Sequence, residues 1–198
     1  MSVIYNDEDF MSIEELRTEV GWPLDYTTSK TLIPYIKRLK GDHVSGVEIG
    51  TGRGEGIYLI LETCPNVSMD TIDPFLEYED WIGTILQADQ DKFKAIAKKN
   101  LTDFHGRATM INLKSDEAAK GYEDNSLDFV IIDGDHSSEQ VARDCKNYYS
   151  KLRSGGLFAV HDNNLHGVKD GLKKFREDNK IRVPVNMASV SMVFWYKA

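Results

Sequence analysis

The chain has 198 residues, 41% hydrophobic and 28% charged, which is enough for one globular domain with a sizeable core. Its net charge of −8 argues against general binding to nucleic acid or to an anionic membrane, since both select basic surfaces. No apolar run approaches the roughly 20 residues of a membrane span, and the acidic start from Met1 to Asp9 lacks the basic and apolar parts of a secretory signal, so a cytoplasmic location is expected.

The elements alternate between short apolar strands and helical patterns. Residues 13–20 predict a helix, with Ser12 and Glu15 as a capping box, ended by Gly21-Trp22-Pro23. Residues 28–39 predict a second helix with an apolar face of Leu32, Ile33, Tyr35, Ile36 and Leu39. Strand 44–49 leads into a glycine-rich turn and a helix over 55–62; strand 67–72 ends at Asp73-Pro74. Residues 75–88 read as an insertion containing Trp81, and 92–100 as a helix. Strand 109–113 precedes a short helix capped by Ser115. Strand 127–132 and a helix over 138–152 follow, then strand 157–160 after the turn Ser154-Gly155-Gly156, and a helix over 166–177. Val183-Pro184-Val185 and residues 191–196 predict a closing hairpin. This order implies an α/β domain, a parallel sheet with helices on both faces. For the last strand, Val193-Phe194-Trp195-Tyr196, core packing is the simpler reading and an interface in a homo-oligomer the other.

Three strand ends carry the chemistry. Glu48-x-Gly50-x-Gly52-x-Gly54 allows a tight turn and a close approach of backbone to ligand. It is not the dinucleotide spacing, because Glu55 and Ile57 stand where the third glycine belongs, and Glu55 would repel a pyrophosphate. A ligand with an ammonium group, partnered by Glu48, suits this loop better. Asp73 is placed to accept hydrogen bonds from two ribose hydroxyls, or to act as a turn residue before Pro74. Ser115-Asp116 reads as a helix cap that can also face an adenine.

The runs ending in Asp133-Gly134-Asp135-His136 and His161-Asp162-Asn163-Asn164 put carboxylate and amide oxygens at the ends of neighbouring strands, which predicts a hard-cation site. Carboxylates at i and i+2 repel unless a cation lies between them or one is protonated, and Gly134 is expected to permit an unusual backbone there. His136 and His161 flank this cluster, whereas His43, His105 and His166 read as loop or surface histidines. Cys64 and Cys145 lie in no metal-ligand pattern and predict buried thiols. Lys173, Lys174 and Arg176 read as a solvated helix face.

In this order, these residues resemble the class I S-adenosylmethionine-dependent methyltransferases over residues 25–197. Within that class the chain resembles the metal-dependent small-molecule O-methyltransferases of the catechol, caffeoyl-CoA and macrocin types. The resemblance implies a single Rossmann-like domain with a mostly parallel seven-stranded sheet and a C-terminal antiparallel strand. Residues 1–40 would cover the site and 41–198 would form the core. It also implies that Glu48, Gly50, Thr51 and Gly52 hold the methionine part of the cofactor, Asp73 the ribose, and Ser115 and Asp116 the adenine, with Asp133 also beside the cofactor. Asp133, Asp162 and Asn163 match the family's metal ligands, for Mg²⁺ or a similar divalent cation.

Asp135 aligns with the base of the sugar-methylating branch, and His136 takes the place of the catechol-type lysine. Gly56, Gly134 and His136 depart from the catechol pattern and favour a sugar or other aliphatic hydroxyl as acceptor. The rival expectations are a metal-independent methyltransferase and a non-catalytic binding module of the same fold.

Overall fold

The computed structural model describes residues 28–80 and 83–198. The helix expected over 13–20, Trp22 and Trp81 lie outside them. Among the described residues, nine strands and six α-helices follow one another in chain order. The first described segment is a 3₁₀ turn, Thr28–Leu32, continued by the single α-turn α1, Ile33–Ile36. It replaces the longer helix expected over 28–39. Pro34 in the first turn lacks the N–H that a longer helix would need there. Then come β1 (Val44–Ile49), α2 (Glu55–Thr63) and β2 (Val67–Ile72).

The 75–88 insertion contains a small antiparallel pair, β3 (Tyr78–Asp80) and β4 (Gly83–Ile85). α3 (Gln87–Asn100) begins five residues before its expected start. β5 (Ala108–Ile111) and the short α4 (Ser115–Ala118) precede β6 (Leu127–Ile132), α5 (Ser138–Tyr149), β7 (Leu152–Val160) and α6 (His166–Asp178). The tail adds β8 (Asn186–Met187) and β9 (Val193–Tyr196).

Seven strands form one sheet in the order β5-β2-β1-β6-β7-β9-β8. The pairs from β5 to β7 are parallel, and β9 and β8 close the sheet antiparallel. β6 and the second half of β7 bury both faces, which is why Phe129 to Ile132 and Leu157 to Val160 read as apolar runs. Along β6, Phe129 and Ile131 join one core cluster while Val130 and Ile132 join the other, the period of two that a pleated strand imposes. The first cluster packs Leu32, Ile36, Ile57 and Ile60 against the sheet; the second packs Val141 and Tyr148 of α5 and Leu172 and Phe175 of α6. Helices therefore cover both faces. Cys64 and Cys145 are buried free thiols, one in each cluster. Phe194 and Trp195 are core residues, so β9 packs inward as the simpler reading had it.

Two boundaries differ for a physical reason. α5 ends at Tyr149, and β7 starts at Leu152 rather than at residue 157. The stretch Arg153-Ser154-Gly155-Gly156 does not leave the strand. It crosses an irregularity opposite Leu127 and Phe129, with Gly155 at φ 75°. Arg153 is anchored there by the carboxylate of Asp128. The expected strand at 183–185 lies instead at 186–187, just beyond Pro184, which has no N–H to give to a ladder.

Candidate active site

Strand order reverses between β1 and β6, and ligands of open α/β sheets bind at the C-terminal edge of such a switch point. Ile49 is in register with Ile72 on one side and Ile132 on the other, and Ile132 with Val160. The residues that follow these four, namely Gly50, Asp73, Asp133 and His161, therefore emerge side by side. Their backbone continues the ladder: Gly50 N–H donates to Ile72, Asp133 N–H to Ile49 and His161 N–H to Ile132.

The glycine loop has the left-handed conformations its composition predicts, with Gly50, Gly52 and Gly54 all at positive φ. Gly134 is not among the positive-φ residues, contrary to expectation; Asp162, at φ 51°, is. Asp73 clamps the loop, because its Oδ2 accepts the N–H of Thr51 (3.1 Å) and of Gly52 (3.3 Å). Its Oδ1 accepts the N–H of Phe75 (2.8 Å), the turn role weighed for it. Burial raises the Asp73 pKa, and these three bonds only partly oppose it. Glu48 is buried beside Thr71, whose hydroxyl lies 2.8 Å from that of Thr51. Glu55, expected to repel a pyrophosphate, is bound by Arg53 at 2.7 Å.

Ser115 is the first residue of α4 rather than its cap, a position held by Lys114. Its hydroxyl donates to Asp144 of α5 (2.6 Å) and accepts from Gln140 (3.2 Å). Asp116 accepts from Asn147 (2.7 Å) and pairs with Arg143. Both residues expected at the adenine thus tie α4 to α5. Asp144 is almost fully buried, and burial drives its pKa up to about 6, against the bonds from Ser115 and Gln140. Because the folded pKa is raised, stability falls as pH rises from about 4 to about 6, and the penalty is full above that. Two units correspond to on the order of 2–3 kcal/mol. Asp144→Asn keeps an acceptor oxygen and removes the charge. It is expected to stabilise the protein by roughly 1–2 kcal/mol at pH 8 and by little at pH 4. Urea midpoints at the two pH values check this, and equal effects at both would contradict it.

The acidic cluster is built from Asp133, His136 and Asp162, which each offer a ligand atom within 4.8 Å of the others. His136 Nε2 lies 3.0 Å from Asp162 Oδ2. His161 Nδ1 lies 2.6 Å from Asp133 Oδ1 and 3.3 Å from Asp162 Oδ2, and its Nε2 is 3.2 Å from the Ser191 hydroxyl. Burial opposes protonation of His161, but the bond to Asp133 and the charges of Asp133 and Asp162 together outweigh it and raise its pKa. Burial likewise works against the Asp162 charge and is outweighed by the bond to His136 and the charges of both imidazoles, so its pKa is lowered.

Asp135 is exposed. Its carboxylate accepts the Ser137 N–H, and its charge acts on Asp144, on the α5 side of the cluster. Asn163 donates its N–H to Ser191 and borders a groove along α6. The structure thus places His136 beside the two aspartates and brings in His161 and Ser191. Ser191 was missed because a lone serine before an apolar strand carries no pattern. Among the described residues no helix is long and apolar enough to cross a membrane.

A profile described as a methyltransferase domain matches residues 47–163, which run from β1 through the acidic cluster. No curated protein matches the chain. Among solved structures, the chain is similar to the O-methyltransferase NovP at TM-score 0.65 and 17% identity, over 88% of this chain and 79% of that one. It is similar to an S-adenosylmethionine-dependent O-methyltransferase from Thermotoga maritima at 0.59 and 17%, over 94% and 69%. It is also similar to spermidine synthase from that organism at 0.57 and 16%, over 88% and 60%. At these identities the likeness speaks for the fold.

Proposed function

The chain belongs to the methyltransferase-domain family, within the class I S-adenosylmethionine-dependent enzymes, and on that premise we propose that it methylates a hydroxyl of a small molecule with the help of a divalent metal. The observation that carries this reading is the convergence of Asp133, His136 and Asp162 at the edge where the glycine loop and Asp73 also emerge. Two carboxylates and an imidazole are a chemically suitable donor set for a divalent ion. Such an ion, once bound, supplies Lewis acidity that lowers the acceptor hydroxyl's pKa.

The cofactor supplies a methyl group already activated on a sulfonium sulfur. The chain's task is alignment, exclusion of water and removal of one proton. Alignment is worth up to about 7–11 kcal/mol in favourable intramolecular models. Glu48 faces the ammonium end, Asp73 offers its remaining lone pair to a ribose hydroxyl, and Asp135 accepts the acceptor's proton. His136, whose Nε2 lies beside Asp162, would serve as a ligand to the metal and not as the base.

A metal-independent version has one observation in its favour. His161 sits between Asp133 and Asp162 and, when protonated, offsets one of their two charges without a metal. The test is turnover of a panel of sugar and phenolic hydroxyl acceptors with S-adenosylmethionine, before and after EDTA. Loss of turnover in EDTA and recovery on adding metal support the first reading; full activity in EDTA supports the second. Calorimetry of the EDTA-treated protein is expected to show Co²⁺ binding at least ~10-fold more tightly than Mg²⁺, because an imidazole ligand favours the later ion. Equal affinities would remove His136 from the ligand set.

A further inference from the structure

A groove of about 490 Å³ runs from Asn163, next to the candidate ligand Asp162, along α6 to the segment 181–185. Its charged lining is Lys169, Lys173, Arg176 and Arg182, with Glu177 as the one carboxylate. In a chain of net charge −8 this is a local excess of positive charge. Lys169, Lys173 and Arg176 recur at the spacing that puts residues on one helix face, where like charges four apart destabilise a helix. The expected solvated face is divided: Lys174 pairs with Asp178 at 2.8 Å, while Lys173 and Arg176 turn to the groove.

Arg176 carries the argument. Its guanidinium lies 4.8 Å from the centre of the Trp195 ring, and one nitrogen donates to the Val183 carbonyl. A second, Nη1, is buried without a hydrogen-bond partner, and so is the indole N–H of Trp195. Unmet buried donors are costly. Burial acts most strongly against the Arg176 cation, Tyr149 partly opposes it, and the charge of Arg182 adds to it, so the pKa is lowered.

We propose that this groove is an anion subsite that takes a phosphate or carboxylate group, with Arg176 and Arg182 as its anchors and Lys169 and Lys173 along its wall. Its opening beside Asn163 makes it the place for an anionic arm of the methyl acceptor. That last assignment rests on the methyltransferase reading; the subsite itself does not. Guanidinium groups bind phosphate and carboxylate oxygens through paired, charge-assisted bonds, which suits Arg176 and Arg182 on the groove lining.

The test titrates inorganic pyrophosphate, and separately citrate, into the full chain with and without S-adenosylhomocysteine, whose own binding is measured first, following heat and the Arg side-chain Nε–H signals in ¹⁵N NMR. Saturable one-to-one binding with a shift of the Arg176 signal is expected. Arg182→Gln and Lys173→Gln should each weaken it ~10-fold, the loss of one charge-assisted contact, while Lys98→Gln on α3 should leave it unchanged. Arg176→Gln is a secondary variant, because its contacts with Trp195 and Val183 also support the fold. Binding that is absent, or equal in wild type, Arg182→Gln and Lys173→Gln, overturns the proposal. Pyrophosphate binding without S-adenosylhomocysteine binding upholds the subsite and rejects the methyltransferase reading.

Discussion

Replacing Asp162 by asparagine is expected to remove divalent-metal binding and to cut turnover by on the order of 10²–10³, the factor for several kcal/mol of lost Lewis-acid assistance. Asparagine suits this test because residue 162 has φ 51°, a conformation that Asn and Asp tolerate better than other non-glycine residues. Asp162→Ala would add backbone strain to the loss of charge. The ion pair with His136 is partly exposed, so its loss costs only about 1 kcal/mol of stability. Calorimetry with Co²⁺, turnover and a thermal melt separate the effects. Weak metal binding and low turnover in a well-folded variant support the metal reading. Unchanged turnover in Asp162→Asn would leave Asp162 as a structural turn and favour the metal-independent chemistry.

Gly50→Ala is expected to destabilise the fold by on the order of 2–4 kcal/mol and to abolish cofactor binding. Gly50 has φ 92°, and a Cβ there would stand 1.9 Å from the Asp133 carbonyl oxygen and 2.6 Å from its carbon. Both are backbone atoms, which cannot swing aside. Relief requires β1 and β6 to part at the edge where Asp133 must stay in place. Gly52→Ala is the control: φ is 51°, but nothing lies within 4 Å of the added carbon, so only about 1–2 kcal/mol of backbone strain is expected. Urea denaturation of both variants checks this. Equal losses would mean that the contact between the glycine loop and the Asp133 turn is not tight.

Much of this architecture is legible in the sequence, and the reason is burial. β1, β2 and β6 fall at their predicted boundaries, because buried apolar residues recur along each of them and turn residues bound them. Where an element is amphipathic or polar the reading degrades. α3 opens with Gln-Ala-Asp-Gln-Asp, which has no apolar period, so its first turn and more were missed. Residues 153–156 look like a turn by composition but continue β7 past a bulge, held by Asp128 on the next strand, a contact between residues 25 apart in sequence.

The site follows the same division. Asp133, Asp162 and His136 were visible as motif residues at adjoining strand ends, and the structure brings them together. The bridging position of His161 and its contact with Ser191 depend on how β9 folds back beside β7, which no local pattern encodes. Likewise Ser115 looked like a cap from its neighbours, whereas its actual partners, Asp144 and Gln140, come from α5.

The most direct measurement of the central claim is a calorimetric titration of S-adenosylhomocysteine into the full chain, in wild type and in Asp73→Ala. One-to-one binding is predicted for wild type, weakened by at least ~10-fold in the variant through loss of the ribose acceptor and of the clamp on Thr51 and Gly52. No binding by the folded wild-type protein would contradict the account and leave a methyltransferase fold serving another purpose.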